Sequence, residues 1–189
     1  MALNCKLEKS ILKENFCGYS LNSVKTIYLA NKNDITAIER AVPSGSTSAQ
    51  YGTEVKTITL EASAKWAKIE PSTNSASFSD SLNTIDGGGK YRTHTLNFSI
   101  AGEYTPEMVD NLDNLSLGEF VAVAELASGT MILLGSESVG LVATNVTNTG
   151  SGSATEFSGI QVEMSADLTV SAAPLSAEAI AALKEKIAE

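Results

Sequence analysis

His94 is the only histidine in the chain, and a lone imidazole does general acid–base work only with a partner group within hydrogen-bond reach. No Ser or Cys partner is visible around it, because it stands in an alternating run of Thr, Leu, Asn and Phe, so a structural or surface role is expected. Asp86-Gly87-Gly88-Gly89-Lys90 has the glycines of a phosphate cradle. It lacks a Gly-Lys-Ser/Thr ending and does not open a helix, and its glycines read as a hairpin turn. Cys5 and Cys17 stand apart from any histidine cluster at a spacing that matches no zinc signature, so plain reduced thiols are expected. Thirteen of the 22 acidic residues follow residue 100. No D-x-D-x-D loop gathers them for calcium, and an acidic surface is the expectation. Trp66, flanked by Lys65 and Lys68, has the shape of a stacking platform, but a half-buried sheet position is expected of it. Three Asn-x-Ser/Thr triplets begin at Asn97, Asn114 and Asn145 and carry no meaning without a secretion signal. No catalytic centre, cofactor or metal emerges from these residues.

The elements that would position them are mostly strands. Val24–Ala30 is rich in β-branched and aromatic residues, breaks at Asn31–Asp34 and resumes at Ile35–Ile38. Residues 41–54 hold small polar residues, Gly and Pro without periodicity, which predicts a long loop. Strand character returns at Val55–Glu61 and at Ala64–Glu70, and residues 76–100 read as one long hairpin around the Asp86–Lys90 turn. Thr105 as N-cap and Pro106 as first helical residue open a helix to about Leu115, with Met108, Val109, Leu112 and Leu115 on one face. Strands are predicted at Glu119–Leu126, Thr130–Leu134, Glu137–Thr144 and Phe157–Ala166, with 145–155 as a flexible linker or hairpin tip. A last helix is predicted over Ala177–Ala188, capped by Ser176 and stapled by Leu175 against Ile180. Its thin stripe of Ile180, Leu183 and Ile187 predicts light docking.

The 189 residues, 43 % apolar and 19 % charged, suit one globular domain whose sparse surface charge fits contact with other protein. Net charge runs from +2 over residues 1–40 through 0 over 41–100 to −11 over 101–189. That balance offers phosphate no counterion-release drive and argues against gripping nucleic acid. No stretch approaches the roughly 20 apolar residues of a membrane span. The opening MALNCKLEKS has no signal-peptide core, so a cytosolic origin without a membrane anchor is expected. The expected fold is mainly β, a β-sandwich or partly open barrel with one flanking helix near 106–115 and a C-terminal helix near 177–188. The chain divides into an arm at 1–20, a β domain at 21–172 and a helical extension at 173–189.

In this order the elements resemble the major tail tube proteins of long-tailed, siphovirus-like bacteriophages, particularly those of Bacteroides phages and prophages. The residues that carry the likeness are Val24-Lys-Thr-Ile-Tyr-Leu-Ala-Asn31 with Asp34-Ile-Thr, Trp66-Ala-Lys-Ile-Glu70, and Gly89-Lys-Tyr-Arg-Thr-His-Thr-Leu-Asn-Phe98 before the helix. Leu133-Leu134-Gly135, Gly140-Leu-Val-Ala-Thr144 and the glycine-rich stretch before Phe157 complete it. It covers roughly residues 20–172 and leaves the Lys-rich start and the last helix outside the family core.

What the resemblance implies is a structural virion protein and no enzyme. Subunits would form hexameric rings whose sheets join around a lumen, the rings would stack into a tube, and DNA would pass as cargo. Implied partners are further copies of the chain, the tape measure, the tail terminator and the baseplate or tip proteins, in a virion tail assembled in the host cytoplasm. The acids expected to face the lumen are Glu119, Glu125, Glu137 and Glu163, then Glu61 and Glu70. Pro43, Gly45, Tyr51, Gly52, Asn148, Gly150 and Gly152 are the candidates for ring-to-ring loops. Two alternatives stand beside this reading. One is a carbohydrate- or ligand-binding sandwich with Trp66 or Tyr91 as platform; the other is a tube or ring subunit of a contractile injection system or virion neck.

Overall fold

The computed structural model describes residues 23–42, 52–102, 105–150 and 157–188. In chain order these hold β1 (Val24–Asn31), a 3-10 turn (Lys32–Asp34), β2 (Ile35–Arg40), β3 (Val55–Leu60), β4 (Ala67–Ile69), β5 (Ser77–Thr84) and β6 (Lys90–Ala101). Then come α1 (Pro106–Leu117), β7 (Glu119–Leu126), β8 (Met131–Leu134), β9 (Leu141–Thr149), β10 (Gly159–Leu168), β11 (Ala173–Pro174) and α2 (Ala177–Glu185). The chain is mainly β, as its composition and alternation predict.

β1 and β7 pair antiparallel, and each is buried over consecutive residues, Thr26–Ala30 and Val121–Ala124, instead of alternate ones. Unbroken burial means that both faces of a strand are covered. Ile27, Leu29, Ala122 and Ala124 pack with Leu96, Phe98, Val162 and Met164. Tyr28, Ala30, Val121 and Val123 pack on the opposite side with Ile35, Val55, Leu60, Trp66 and Leu183. The β1–β7 pair is therefore the middle of three layers.

One outer layer is the run β9-β10-β6-β5, and the other is the two-stranded β2–β3 sheet together with α2. β9 joins the first two layers. Its Leu141 and Val142 pair with Phe120 and Glu119 of β7, while the rest of it pairs with β10. The nine-stranded sheet that results bends back on itself without closing into a barrel.

The two hairpin and cap signatures hold. Gly87 and Gly88 adopt φ of 104° and 91° at the β5–β6 turn, values that a residue with a Cβ resists. Thr105 Oγ1 accepts the Met108 N–H at 3.2 Å, and Ser176 Oγ accepts that of Ala179 at 3.2 Å. Ala41 and Glu54 continue the β2–β3 ladder, with Ala41 N–H donating to Glu54 O at 2.8 Å. Pro43, Gly45 and Tyr51 lie outside the described residues, as do Gly152, Cys5, Cys17 and the arm at 1–20.

Four expectations are corrected. Glu137 is not in a strand, because the Ser136 hydroxyl accepts the N–H groups of Ser138 and Val139 at 3.3 and 3.0 Å and holds a turn until β9 begins at Leu141. Residues 145–149 are not linker but the second half of β9, since β10 supplies the ladder that their polar sequence does not advertise. Trp66 is 1 % exposed, not half-buried.

Nor does the last helix dock lightly. Ala179 and Leu183 are each 3 % exposed. The chain leaves helix after Glu185, so that Trp66 N–H donates to Lys186 O and Ala188 N–H to Trp66 O, both at 2.8 Å. A small alanine on the buried face lets the helix approach closely, and a stripe read from large residues alone misses that contact.

Candidate functional site

The outward face of β9-β10-β6-β5 is set by strand pleat. On β6 the inward set is His94, Leu96 and Phe98, all buried, so Thr93, Thr95, Asn97 and Ser99 point out. Register extends that face to Ser77, Ser79, Ser81 and Asn83 of β5, to Gln161, Glu163, Ser165 and Asp167 of β10, and to Asn145 and Thr147 of β9. These side chains are hydroxyls, amides and two carboxylates, joined by Tyr91 opposite Asn83 and by Val142, 46 % exposed, opposite Ser165, with no Lys or Arg among them. Several bond one another across strands: Asn83 Nδ2 donates to Thr93 Oγ1 at 2.8 Å, and Thr93 Oγ1 donates to Asp167 Oδ1 at 2.6 Å. A face that carries two carboxylates and no cation has little to offer a phosphate.

The acids expected together at a lumen sit in different places. Glu163 is exposed on this face. Glu119 accepts the Gly140 N–H at 2.8 Å and lies 3.7 Å from Lys32, bracing the β7–β9 crossover. Glu125 accepts the Tyr28 hydroxyl at 2.8 Å; burial, and then this carboxylate, raise the phenol's pKa above its ordinary value. Glu137 accepts the Ile38 N–H at 3.1 Å from its turn. Glu61 is exposed just past β3. Exposed Glu70 pairs with Lys68, and that bond lowers its pKa. Among the loop candidates, Asn148 lies in β9 with Gly150 just beyond it. Gly52 is held where a Cβ would come 2.4 Å from the Arg40 Cβ.

His94 has partners that its neighbours in sequence do not disclose. It is fully buried, its Nδ1 accepts the Gly135 N–H at 3.1 Å, and its Nε2 faces Asp80 Oδ1 at 3.5 Å. Asp80, opposite His94 in the β5–β6 register, also accepts Arg92 Nε at 2.6 Å and the Ala172 N–H at 3.0 Å. The carboxylate is thus already engaged, and the group clamps β5, β6, the Gly135 turn and the chain before β11. Beside it lies a cavity of about 210 Å³ lined by Arg40, Ser136, Glu137 and Asp167.

Burial lowers the His94 pKa; the Asp80 charge raises it, the Arg40 and Arg92 charges lower it, and the net direction is down. The folded protein therefore prefers neutral His94, while the unfolded chain takes up a proton as pH falls through about 6.5. Its contribution to stability is full above that pH and declines below it. The urea midpoint is expected to fall between pH 7 and pH 5, and to fall less in His94→Gln. Equal pH dependence of the two proteins would separate His94 from acid sensitivity.

A second cavity of about 340 Å³ lies between α1 and the sheet. No residue of α1 is buried; Met108, Leu112 and Leu115 lie half-buried against the first core cluster. The buried Trp66 offers no ligand a stacking face. Among the described residues no three His, Cys, Asp or Glu side chains group to hold a metal ion, and no helix is long and apolar enough to cross a membrane. The sequence matches no family model, and no curated protein or solved structure is significantly similar to the chain.

Proposed function

We propose that this chain is a structural subunit of the tail-tube kind, which forms rings that stack into a conduit for DNA. One observation carries the reading: a cation-free polar face is bounded on both sides by strand edges that lack Lys and Pro. β5 pairs only with β6 among the described residues, and beyond Val142 β9 pairs only with β10. Neither strand contains a Lys or a Pro. Natural edge strands normally carry such residues to prevent pairing with another chain. Eight residues on one edge and most of nine on the other, without a further strand partner among the described residues, suit pairing of β5 from one subunit with β9 of the next. Such a contact is heterologous, and it closes into a ring when the rotation per subunit divides a full turn.

Repeated around that ring, the Ser/Thr/Asn face becomes the wall of the hole. DNA sliding past it meets hydroxyls, amides and the carboxylates of Glu163 and Asp167, and no site at which to release counterions. On this reading the subunit works in a virion tail assembled in the host cytoplasm. It meets copies of itself, a tape measure within, and terminator and baseplate or tip proteins at the tube ends. Catalysis forms no part of it.

Purified protein is expected to show rings by negative stain and concentration-dependent mass by light scattering, with tubes at high concentration. A strict monomer from micromolar to millimolar concentration would overturn the reading.

A further inference from the structure

The two ends of β6 differ in a way that the lumen face does not explain. At its start the β5–β6 hairpin runs past the core. Leu82 belongs to the inward set of β5, the set of Phe78 and Asp80, yet it is 57 % exposed, and Ile85 in the turn is 55 % exposed. The turn is closed locally by Ile85 N–H to Gly89 O at 2.8 Å and Gly88 N–H to Ile85 O at 3.0 Å. A Cβ added at Gly87 or Gly88 would meet nothing within 4 Å. The tip is thus a formed knob with two aliphatic side chains in solvent.

At the other end of the same strand, Phe98 and Ile100 line the cavity of about 340 Å³ under α1, with Leu29, Ile69, Met108 and Leu112. That size falls within the range of about 300–1,000 Å³ that takes a small organic molecule, so two aliphatic side chains fit. Lys68 borders the cavity already paired with Glu70, so the match between tip and cavity is one of shape and apolar surface.

We infer that the Leu82/Ile85 tip of one copy seats in the α1 groove of the next, and that this contact joins one ring to another. The inference rests on the tube reading and deepens it, by naming the axial contact. A knob and a hole at opposite ends of one strand form a head-to-tail interface, which repeats without limit when the copies are displaced along the strand. β6 has twelve residues, so at about 3.4 Å per residue the ring repeat should lie between roughly 30 and 40 Å, the lower value for a tilted strand.

The test compares the native protein with Leu82→Asp/Ile85→Asp, whose exposed positions leave the core untouched. Rings should persist, and the concentration needed for tubes should rise at least tenfold. A second measurement mixes Ile85→Cys protein with Leu115→Cys protein, oxidises the assembly and maps the disulfides by mass spectrometry. A bond from position 85 to position 115 of another copy is the expected product. Tubes from the aspartate variant at the native concentration would overturn the contact and leave the tube reading standing. Capture of position 115 by Cys5 or Cys17 would overturn it too, by assigning the groove to the chain's own first residues. Native protein that makes neither rings nor tubes would remove both proposals.

Discussion

Lysine at Ser81, Thr147 and Glu163 is expected to turn an assembly that ignores duplex DNA into one that binds it. The three positions are exposed, on β5, β9 and β10, so the substitutions leave the core packing alone. Two neutral residues become cationic and one acid is reversed, a change of four charges per subunit. Around a ring these charges converge on the hole, where low-dielectric walls focus their field. If six to ten phosphates are engaged, affinity should fall by about 10³–10⁵ between 50 and 200 mM salt.

The matched control is Glu61→Lys/Glu107→Lys. It adds the same four charges at exposed sites just past β3 and on the first turn of α1, away from the polar face. Anisotropy of a labelled duplex at the two salt concentrations separates the cases. The face variant should bind tightly and salt-sensitively, with the native protein and the control far weaker. Tight binding by the native protein at physiological salt would exclude a sliding channel, and equal binding by both variants would show that the polar face lines no hole.

Trp66→Ala is expected to be the most damaging single change in the second core. The indole is 1 % exposed among Tyr28, Val55, Leu60, Leu133 and Leu183, and the backbone on both sides of it is bonded to the end of the chain. Large-to-small changes at such sites cost about 3–5 kcal/mol for Trp and about 2–5 for Leu. Set against a total of about 5–15 kcal/mol, that is from about a fifth of the stability to all of it. Leu183→Ala should reproduce much of the effect from the helix side. Because the two residues share one cluster, the double variant should lose less than the sum of the singles. Denaturant midpoints measure all three, and a cost below about 1 kcal/mol for Trp66→Ala would mean that α2 is an appendage and not part of the core.

By itself the sequence determined whatever depends on near neighbours. Thr105-Pro106 and Ser176 specify helix starts because the cap bond spans three residues. Gly87-Gly88 specifies the turn because only glycine readily takes those dihedral angles. The alternation of Tyr91–Ile100 specifies a half-buried strand with period two, and charge counted along the chain argues against a phosphate-gripping surface. Tertiary structure alone decided what depends on a distant partner. Residues 145–149 are strand because β10 completes their hydrogen bonds, and Glu137 is turn because Ser136 captures the backbone first. The docking of α2 needs Trp66, more than a hundred positions away. His94 finds Asp80 only through the β5–β6 register and Gly135 only through packing. The scatter of the acids has the same origin: residue type records a charge, but which face of a two-period strand meets solvent is set by the layer stacked against it. Glu125 therefore turns to Tyr28 while Glu163 lies open on the polar face.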